Sequence, residues 1–298
     1  MVVGATHLEF VIDSVASKDG TKIGYRRYGT GPSVVLVQGA MAYARQYSQL
    51  AEALAGSFTV YVPDRRGRGM SPKPYTRDHV IERDIEDHDA VLAATGATRV
   101  FGFSSGATIA LTTAARFPRI RKLAVFEPPM YVGGLPRGQI GRFERAMSKG
   151  DLAAGFAAAG KSMRFVPLLR FIPNWLIAFR LGRMFAAEAK HPKPTGVNDY
   201  PPMSEIAPSL QYDFRIVADA HGHADVWRAI TADLLILGGE KSPEFLKADL
   251  EALRKLLPNA KVVIFPELDH TAAWDRHRQR NPHGDPAPVA KELRVFFA

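Results

Sequence analysis

Val100-Phe101-Gly102-Phe103-Ser104-Ser105-Gly106-Ala107 passes from an apolar stretch, through a serine bracketed by glycines, into a run of small residues. A strand that reverses into a helix within a few residues holds such a serine in a strained turn, and only very small residues fit two before and two after it. Gly102 and Gly106 fill those places around Ser104. Centring the motif on Ser105 would put Phe103 and Ala107 there, and the phenyl ring would clash with the turn. Ser104 is therefore the candidate nucleophile, and Ser105 supplies the backbone N–H that follows it. Residues 98–101 read as a short buried strand and residues 107–116 as a small-residue helix packed on a sheet, the context the motif requires.

Working outward, residues 8–14 and 21–28 read as paired strands joined by Lys18-Asp19-Gly20. Residues 33–37 and 58–62 are continuous apolar runs, as in the buried centre of a parallel sheet. The first leads into Gln38-Gly39-Ala40-Met41 and the second into Asp64-Arg65-Arg66-Gly67-Arg68-Gly69-Met70-Ser71. Helical patterns over 45–54 and 79–92 separate these strands from the next. Strand alternating with helix at this spacing predicts a doubly wound α/β sheet, whose ligands bind beyond the carboxyl ends of the strands.

The order and spacing of two motifs, DRRGRGMS at 64–71 and GFSSG at 102–106, resemble the DxRGxGxS loop and nucleophile elbow of the α/β-hydrolase superfamily. The resemblance covers the chain outside its middle and implies an α/β-hydrolase fold: a mostly parallel eight-stranded doubly wound sheet with an inserted helical cap. It places Ala40, after Gly39, as the partner of Ser105 in a backbone oxyanion hole. It also matches His270, in Glu267-Leu268-Asp269-His270-Thr271 after the final strand, to the family's histidine. The chain departs from the family in having Gln38-Gly39 where His-Gly is usual.

A serine hydroxyl needs a base, and nine histidines are present. His79 and His88 read as the polar side of a helix, His191 and His283 sit beside prolines, and the rest lie in polar loops, which leaves His270. The third member is less direct. Where the family most often carries its acid, in Gly238-Gly239-Glu240-Lys241-Ser242-Pro243, the aspartate's place holds Ser242. Some relatives, haloalkane dehalogenases and certain lactone hydrolases among them, carry the acid at the end of the strand after the elbow helix. That strand here is 122–126, followed by Glu127-Pro128-Pro129. A carboxylate ending a buried strand is costly without a partner. Glu127 is therefore the first candidate, Asp213 the second and Glu240 the third; a helix cap or salt bridge is the structural alternative for Glu127.

From residue 131 to 201 the alternation stops. Helical patterns over 143–148, 151–163, 168–172 and 174–189 are broken by Gly150, Pro167 and Pro173, and resemble the family's cap domain between two core segments, 1–130 and 202–298. Residues 131–200 hold eleven Lys or Arg against four acids, most of the chain's net charge of +9. The expected arrangement puts the apolar side of the cap on the pocket and its basic side in water. Attraction of anionic substrates or docking on an anionic lipid surface are the sharper alternatives. Met41, Met130, Trp175 and Phe179 are the candidate substrate contacts.

With 298 residues, 46% hydrophobic and 23% charged, the chain is expected to be a soluble, cytoplasmic globular protein. It has no cysteine, so disulfides and thiol chemistry are excluded. Absence of GxGxxG and Walker loops implies no nucleotide cofactor, His221-Gly222-His223 lacks a third ligand for a metal, and no nucleic-acid motif accompanies the charge. Residues 275–286 read as an exposed loop before a last helix over 289–297. The function implied is hydrolysis of a hydrophobic ester or lactone through an acyl-enzyme, with Ser104 as nucleophile, His270 as base and Glu127 as acid. Carbon–carbon bond hydrolysis, or a non-catalytic small-molecule receptor of the same fold, are the alternatives; a homo-oligomer is compatible with either.

Overall fold

A computed structural model describes residues 9–73, 80–163, 167–190, 201–278 and 280–298. Residue 8, at the start of the first predicted strand, and His79 and His191 lie outside the described residues. Eight strands form one sheet: β1 (Val11–Ala16), β2 (Lys22–Tyr28), β3 (Ser33–Val37), β4 (Thr59–Pro63), β5 (Arg99–Phe103), β6 (Lys122–Phe126), β7 (Asp233–Gly239) and β8 (Lys261–Phe265). Their spatial order is β1-β2-β4-β3-β5-β6-β7-β8. The β1–β2 and β2–β4 pairs are antiparallel, and every later pair is parallel. Gly102 pairs with Val37 on one side and Val125 on the other, so β3, β5 and β6 end at one level and release their loops onto one rim.

Alternation along the central strands divides the core between two layers. Leu36, Phe101, Phe103 and Phe126 pack with Leu50 and Leu54 of α1 (Ser48–Ala55) and with Val289, Leu293 and Phe297 of α10 (Pro286–Phe297). Val35, Val37, Val100 and Val125 pack against α2 (Ile81–Thr95), α3 (Ser105–Arg116) and α9 (Glu244–Leu256) on the other face. The predicted helix over 79–92 runs on to Thr95 because it stops only where Gly96 turns left-handed, at φ 63°. The helix expected from residue 45 opens as a 3₁₀ turn, Ala44–Tyr47, before α1.

Two expectations are corrected. His88 is not on a solvated side of α2; it is buried, with Nδ1 3.1 Å from the Thr113 hydroxyl of α3. The loop over 275–286 is not simply exposed, since Asp275 is buried and accepts hydrogen bonds from the Ser48 and Gln49 N–H groups that open α1, at 3.1 and 2.9 Å.

Between β6 and β7 the described elements are all helical: α4 (Arg137–Ser148), α5 (Leu152–Met163), a 3₁₀ turn (Pro167–Phe171), α6 (Asn174–Glu188), α7 (Met203–Ile206), a 3₁₀ turn (Ala207–Ser209), α8 (Leu210–Ala220) and a last 3₁₀ turn (Ala224–Ala229). Phe143, Ala158, Ala159, Leu210 and Phe214 form a separate small core, against which Ala40 and Met41 of the β3 loop pack. No helix among the described residues is long and apolar enough to cross a membrane.

Candidate active site

Ser104 sits at φ 53°, ψ −125°, between β5 and the first turn of α3, and its N–H donates to the Phe126 carbonyl at 2.9 Å. The flanking glycines are required by contact. A Cβ on Gly102 would lie 2.7 Å from the Ala107 Cα, and one on Gly106 would lie 2.3 Å from the Gln38 carbonyl oxygen. Non-glycine residues at positive φ among the described residues are Met41, Ser104, Glu127 and Tyr131, all at this rim. Strain of this kind persists only where surrounding structure enforces it.

His270 leaves the carboxyl end of β8 and places Nε2 3.1 Å from the Ser104 Oγ. Its Nδ1 lies 2.7 Å from Glu127 Oε2. A carboxylate only accepts, so Nδ1 carries the shared proton and Nε2 is left as an acceptor facing the hydroxyl. Glu127 is 1% exposed, and its other oxygen accepts the Gly239 N–H at 2.7 Å. Gly238 keeps the neighbouring space open, since a Cβ there would fall 2.4 Å from Leu250 and 3.2 Å from Glu127 Oε1. The end of β7 therefore supplies a donor and a gap for the acid of β6, rather than an acid of its own. Ser242 is buried, and its hydroxyl has no hydrogen-bond partner among the described residues.

The other two acid candidates are placed elsewhere. Glu240 is exposed to solvent. Asp213 of α8 is buried and occupied by cations: it accepts from Arg65 Nη1 at 2.6 Å, Arg68 Nη2 at 2.7 Å and the Ser105 Oγ–H at 2.9 Å. Arg68 also donates to the Gly39 and Ala42 carbonyls, at 2.9 and 3.1 Å, and so grips the loop that carries Ala40. Arg65 and Arg68 occupy the variable positions of the DxRGxGxS loop. Arg66, at the motif arginine, instead pairs with Asp87 and Asp19 at 2.6 and 2.8 Å. The Arg65–Arg68–Asp213 network was missed from sequence; its one signal was an acid within the otherwise apolar face of 210–217. Asp249, also missed, accepts the Met130, Tyr131 and Val132 N–H groups at 2.8 to 2.9 Å and holds the loop that follows Glu127. Burial pushes its carboxyl above the usual range.

Ser104 and His270 open onto a cavity of about 260 Å³, whose apolar wall includes Met41, Phe156, Leu210, Phe214, Phe245 and Trp274, with Asp213 at one side. Of the four candidate contacts only Met41 lines it. Met130 lines a neighbouring pocket with His221, while Trp175 and Phe179 are 71% and 59% exposed on the outer side of α6. The apolar side of that helix therefore does not all face the pocket, contrary to expectation. Gln38 occupies the position of the usual histidine as a buried residue, and donates from Nε2 to the Pro63 carbonyl. The β3 loop is further held by Tyr47, whose hydroxyl accepts the Gly39 N–H at 3.4 Å and the Trp274 indole N–H at 2.8 Å. His221 Nδ1 lies 3.0 Å from the Met130 carbonyl, and no group of three His, Cys, Asp or Glu among the described residues is placed to hold a metal ion.

The sequence model of the alpha/beta hydrolase family matches residues 34–291, which include both motifs, Glu127 and His270. The chain belongs to the alpha/beta hydrolase family. Within it, the solved structure of an alpha/beta hydrolase from Sphaerobacter thermophilus superposes with a TM-score of 0.73 at 30% identity, covering 96% of this chain and all of that one. A 2-(acetamidomethylene)succinate hydrolase of Mesorhizobium japonicum is 26% identical over 249 residues, 82% of this chain and 84% of the relative. An N-formylmaleamate deformylase of Pseudomonas putida is 34% identical over 125 residues, 41% of this chain, and the match spans about half of that relative's length (47%). This member of the alpha/beta hydrolase family is built on an eight-stranded sheet of the family's type.

Proposed function

We propose that the chain is a serine hydrolase that cleaves a hydrophobic carboxylic ester or lactone. The observation that carries this reading is the contact chain Ser104 Oγ, His270 Nε2, His270 Nδ1 and Glu127 Oε2, with steps of 3.1 and 2.7 Å. Ser104 Oγ attacks the carbonyl carbon while its proton passes to His270 Nε2, and the resulting imidazolium is stabilised by the buried Glu127 carboxylate. Collapse of the tetrahedral adduct breaks the C–O bond, and the leaving oxygen takes the proton from His270. Water then attacks the acyl-enzyme by the same route and restores the Ser104 hydroxyl.

The developing oxyanion is assigned to the N–H groups of Ala40 and Ser105. Ser105 opens α3, so its amide belongs to a first helical turn that has no intrahelical acceptor and points positive dipole toward the nucleophile. Helices α4 to α8 are read as the cap, an extent that runs past residue 201: Phe156 of α5 and Leu210 and Phe214 of α8 contribute to the cavity wall. That wall suits an apolar acyl or alkoxy group.

Amide hydrolysis is a second reading, favoured by what the two curated relatives are named for; it uses the same groups, with His270 protonating a leaving nitrogen. A fluorophosphonate probe should label the wild type and not Ser104→Ala. A panel of p-nitrophenyl esters of rising chain length, aromatic lactones and matched anilides should give turnover on esters or lactones. Labelling without turnover of any oxygen ester, but with turnover of the anilides, would favour the amide reading. Absence of both labelling and turnover would sink the hydrolase mechanism.

A further inference from the structure

The exposed Phe and Trp side chains among the described residues all lie in one short stretch. Phe171 is 70%, Trp175 71% and Phe179 59% exposed, and Leu168 beside them is 65% exposed. Trp175, Phe179, Arg183 and Ala186 follow at spacings of four, four and three, which puts them on one side of α6. None of the α6 side chains is fully buried. The opposite side of the same helix carries Phe185, edge-on to Phe156 at 6.1 Å between ring centroids, and Phe156 lines the cavity. One helix thus separates an outward aromatic stripe from the inner wall of the site.

Cations flank the aromatic stripe and are left without an acid beside them. Several exposed cations of the core are paired, as in Arg116 with Glu82, Lys241 with Glu267, Arg254 with Glu251 and Lys261 with Glu292, while others, Lys22, Arg27 and Lys291 among them, are in no ion pair between described residues. On α6 and just after it, no ion pair between described residues includes Arg180, Arg183 or Lys190, all of which are exposed; the same holds of Arg142, Arg145 and Lys149 on or just after α4. The one acid in α6, Glu188, is taken by Arg280 at 2.7 Å.

We propose that this side of the insertion docks on an anionic lipid bilayer, with Trp175 and Phe179 seated at the headgroup boundary and Arg183 and Lys190 against lipid phosphates. An interfacial helix needs a compact apolar stripe flanked by cations, and two such signals together hold a protein at a membrane where one does not. A second copy of the chain is a poorer occupant, because joining two α6 faces would set Arg180 and Arg183 of one copy against those of the other, and the one acid of α6, Glu188, is already held by Arg280. Docking sets the cavity wall one helix away from the bilayer, where an apolar ester or lactone partitions. The inference stands whether or not Ser104 acts as the nucleophile.

The test uses the full chain with extruded vesicles of phosphatidylcholine alone and of phosphatidylcholine mixed with phosphatidylglycerol, read by co-sedimentation and tryptophan emission. Sedimentation velocity without lipid runs in parallel. Wild type should bind the anionic vesicles at least about tenfold more tightly than the neutral ones, with a blue shift from Trp175. High salt should reverse the binding, as the screening length falls to about 3 Å at 1 M. The double variant Trp175→Ser/Phe179→Ser should lose binding with an unchanged melting temperature, since both rings are exposed, and Arg183→Gln/Lys190→Gln should lose only the anionic preference. Equal binding to neutral vesicles, or none to either, would overturn the proposal. So would a dimer that the aromatic variant dissolves, since the stripe would then be a contact between copies.

Discussion

Glu127→Gln separates an acid that sets the histidine tautomer from one that merely fills space. In the structure Glu127 accepts twice, from His270 Nδ1 and from the Gly239 N–H, each at 2.7 Å. Glutamine has one acceptor oxygen. If that oxygen stays on Gly239, the NH₂ faces Nδ1, which must then accept, and the ring proton moves to Nε2 where it meets the Ser104 hydroxyl. The base is blocked. If the amide flips instead, two donors face each other at Gly239, and an unpaired buried donor costs about 1–3 kcal/mol. The analogous change in a Ser-His-Asp triad lowers kcat about 10⁴-fold, or about 5.5 kcal/mol of transition-state stabilisation. A similar loss is expected here, with KM little changed because Glu127 does not line the cavity. Steady-state hydrolysis of a short p-nitrophenyl ester measures both constants, and circular dichroism checks the fold. Asp213→Asn and Glu240→Gln serve as comparisons, the second expected to be silent because Glu240 is exposed. Near wild-type turnover in Glu127→Gln would refute the assignment.

Arg68→Met should lower kcat by about one to two orders of magnitude, because the Gly39 and Ala42 carbonyls lose the donor that fixes the oxyanion loop. It should also cost about 1–3 kcal/mol in urea unfolding, since one buried oxygen of Asp213 loses its donor while Arg65 and Ser105 stay on the other. His88 is held neutral by burial, its pKa lowered to about 3. The unfolded chain therefore binds a proton below about pH 6.5 that the native state refuses. Stability should fall as pH drops from 6.5 toward 3, by at most about 1.4 kcal/mol per unit from this residue, and His88→Gln should flatten that slope in pH-dependent unfolding.

Much of the sheet was legible because its signals are local. The apolar run 33–37, the glycines at 102 and 106 and the strand 122–126 need only backbone sterics and burial to be understood, and each sits where its residues predict. The candidate site was legible in part. Ser104 and His270 follow from motif and strand end, whereas choosing Glu127 over Asp213 rested on resemblance, since each is a lone acid beside apolar residues. What separated them is the surroundings: Gly239 and His270 around one, two guanidinium groups around the other.

By itself, the sequence determined the order of strands and helices, the place of the elbow and the concentration of cations between residues 131 and 200, since these depend on neighbours along the chain. Which side of α2 and α6 meets protein, which acid meets the imidazole, and that Arg65 and Arg68 are spent on Asp213 were decided only by the tertiary structure. Helical periodicity defines two sides of a helix but carries no information about what packs on either, and a carboxylate's partner is set by chains that converge from more than a hundred residues away.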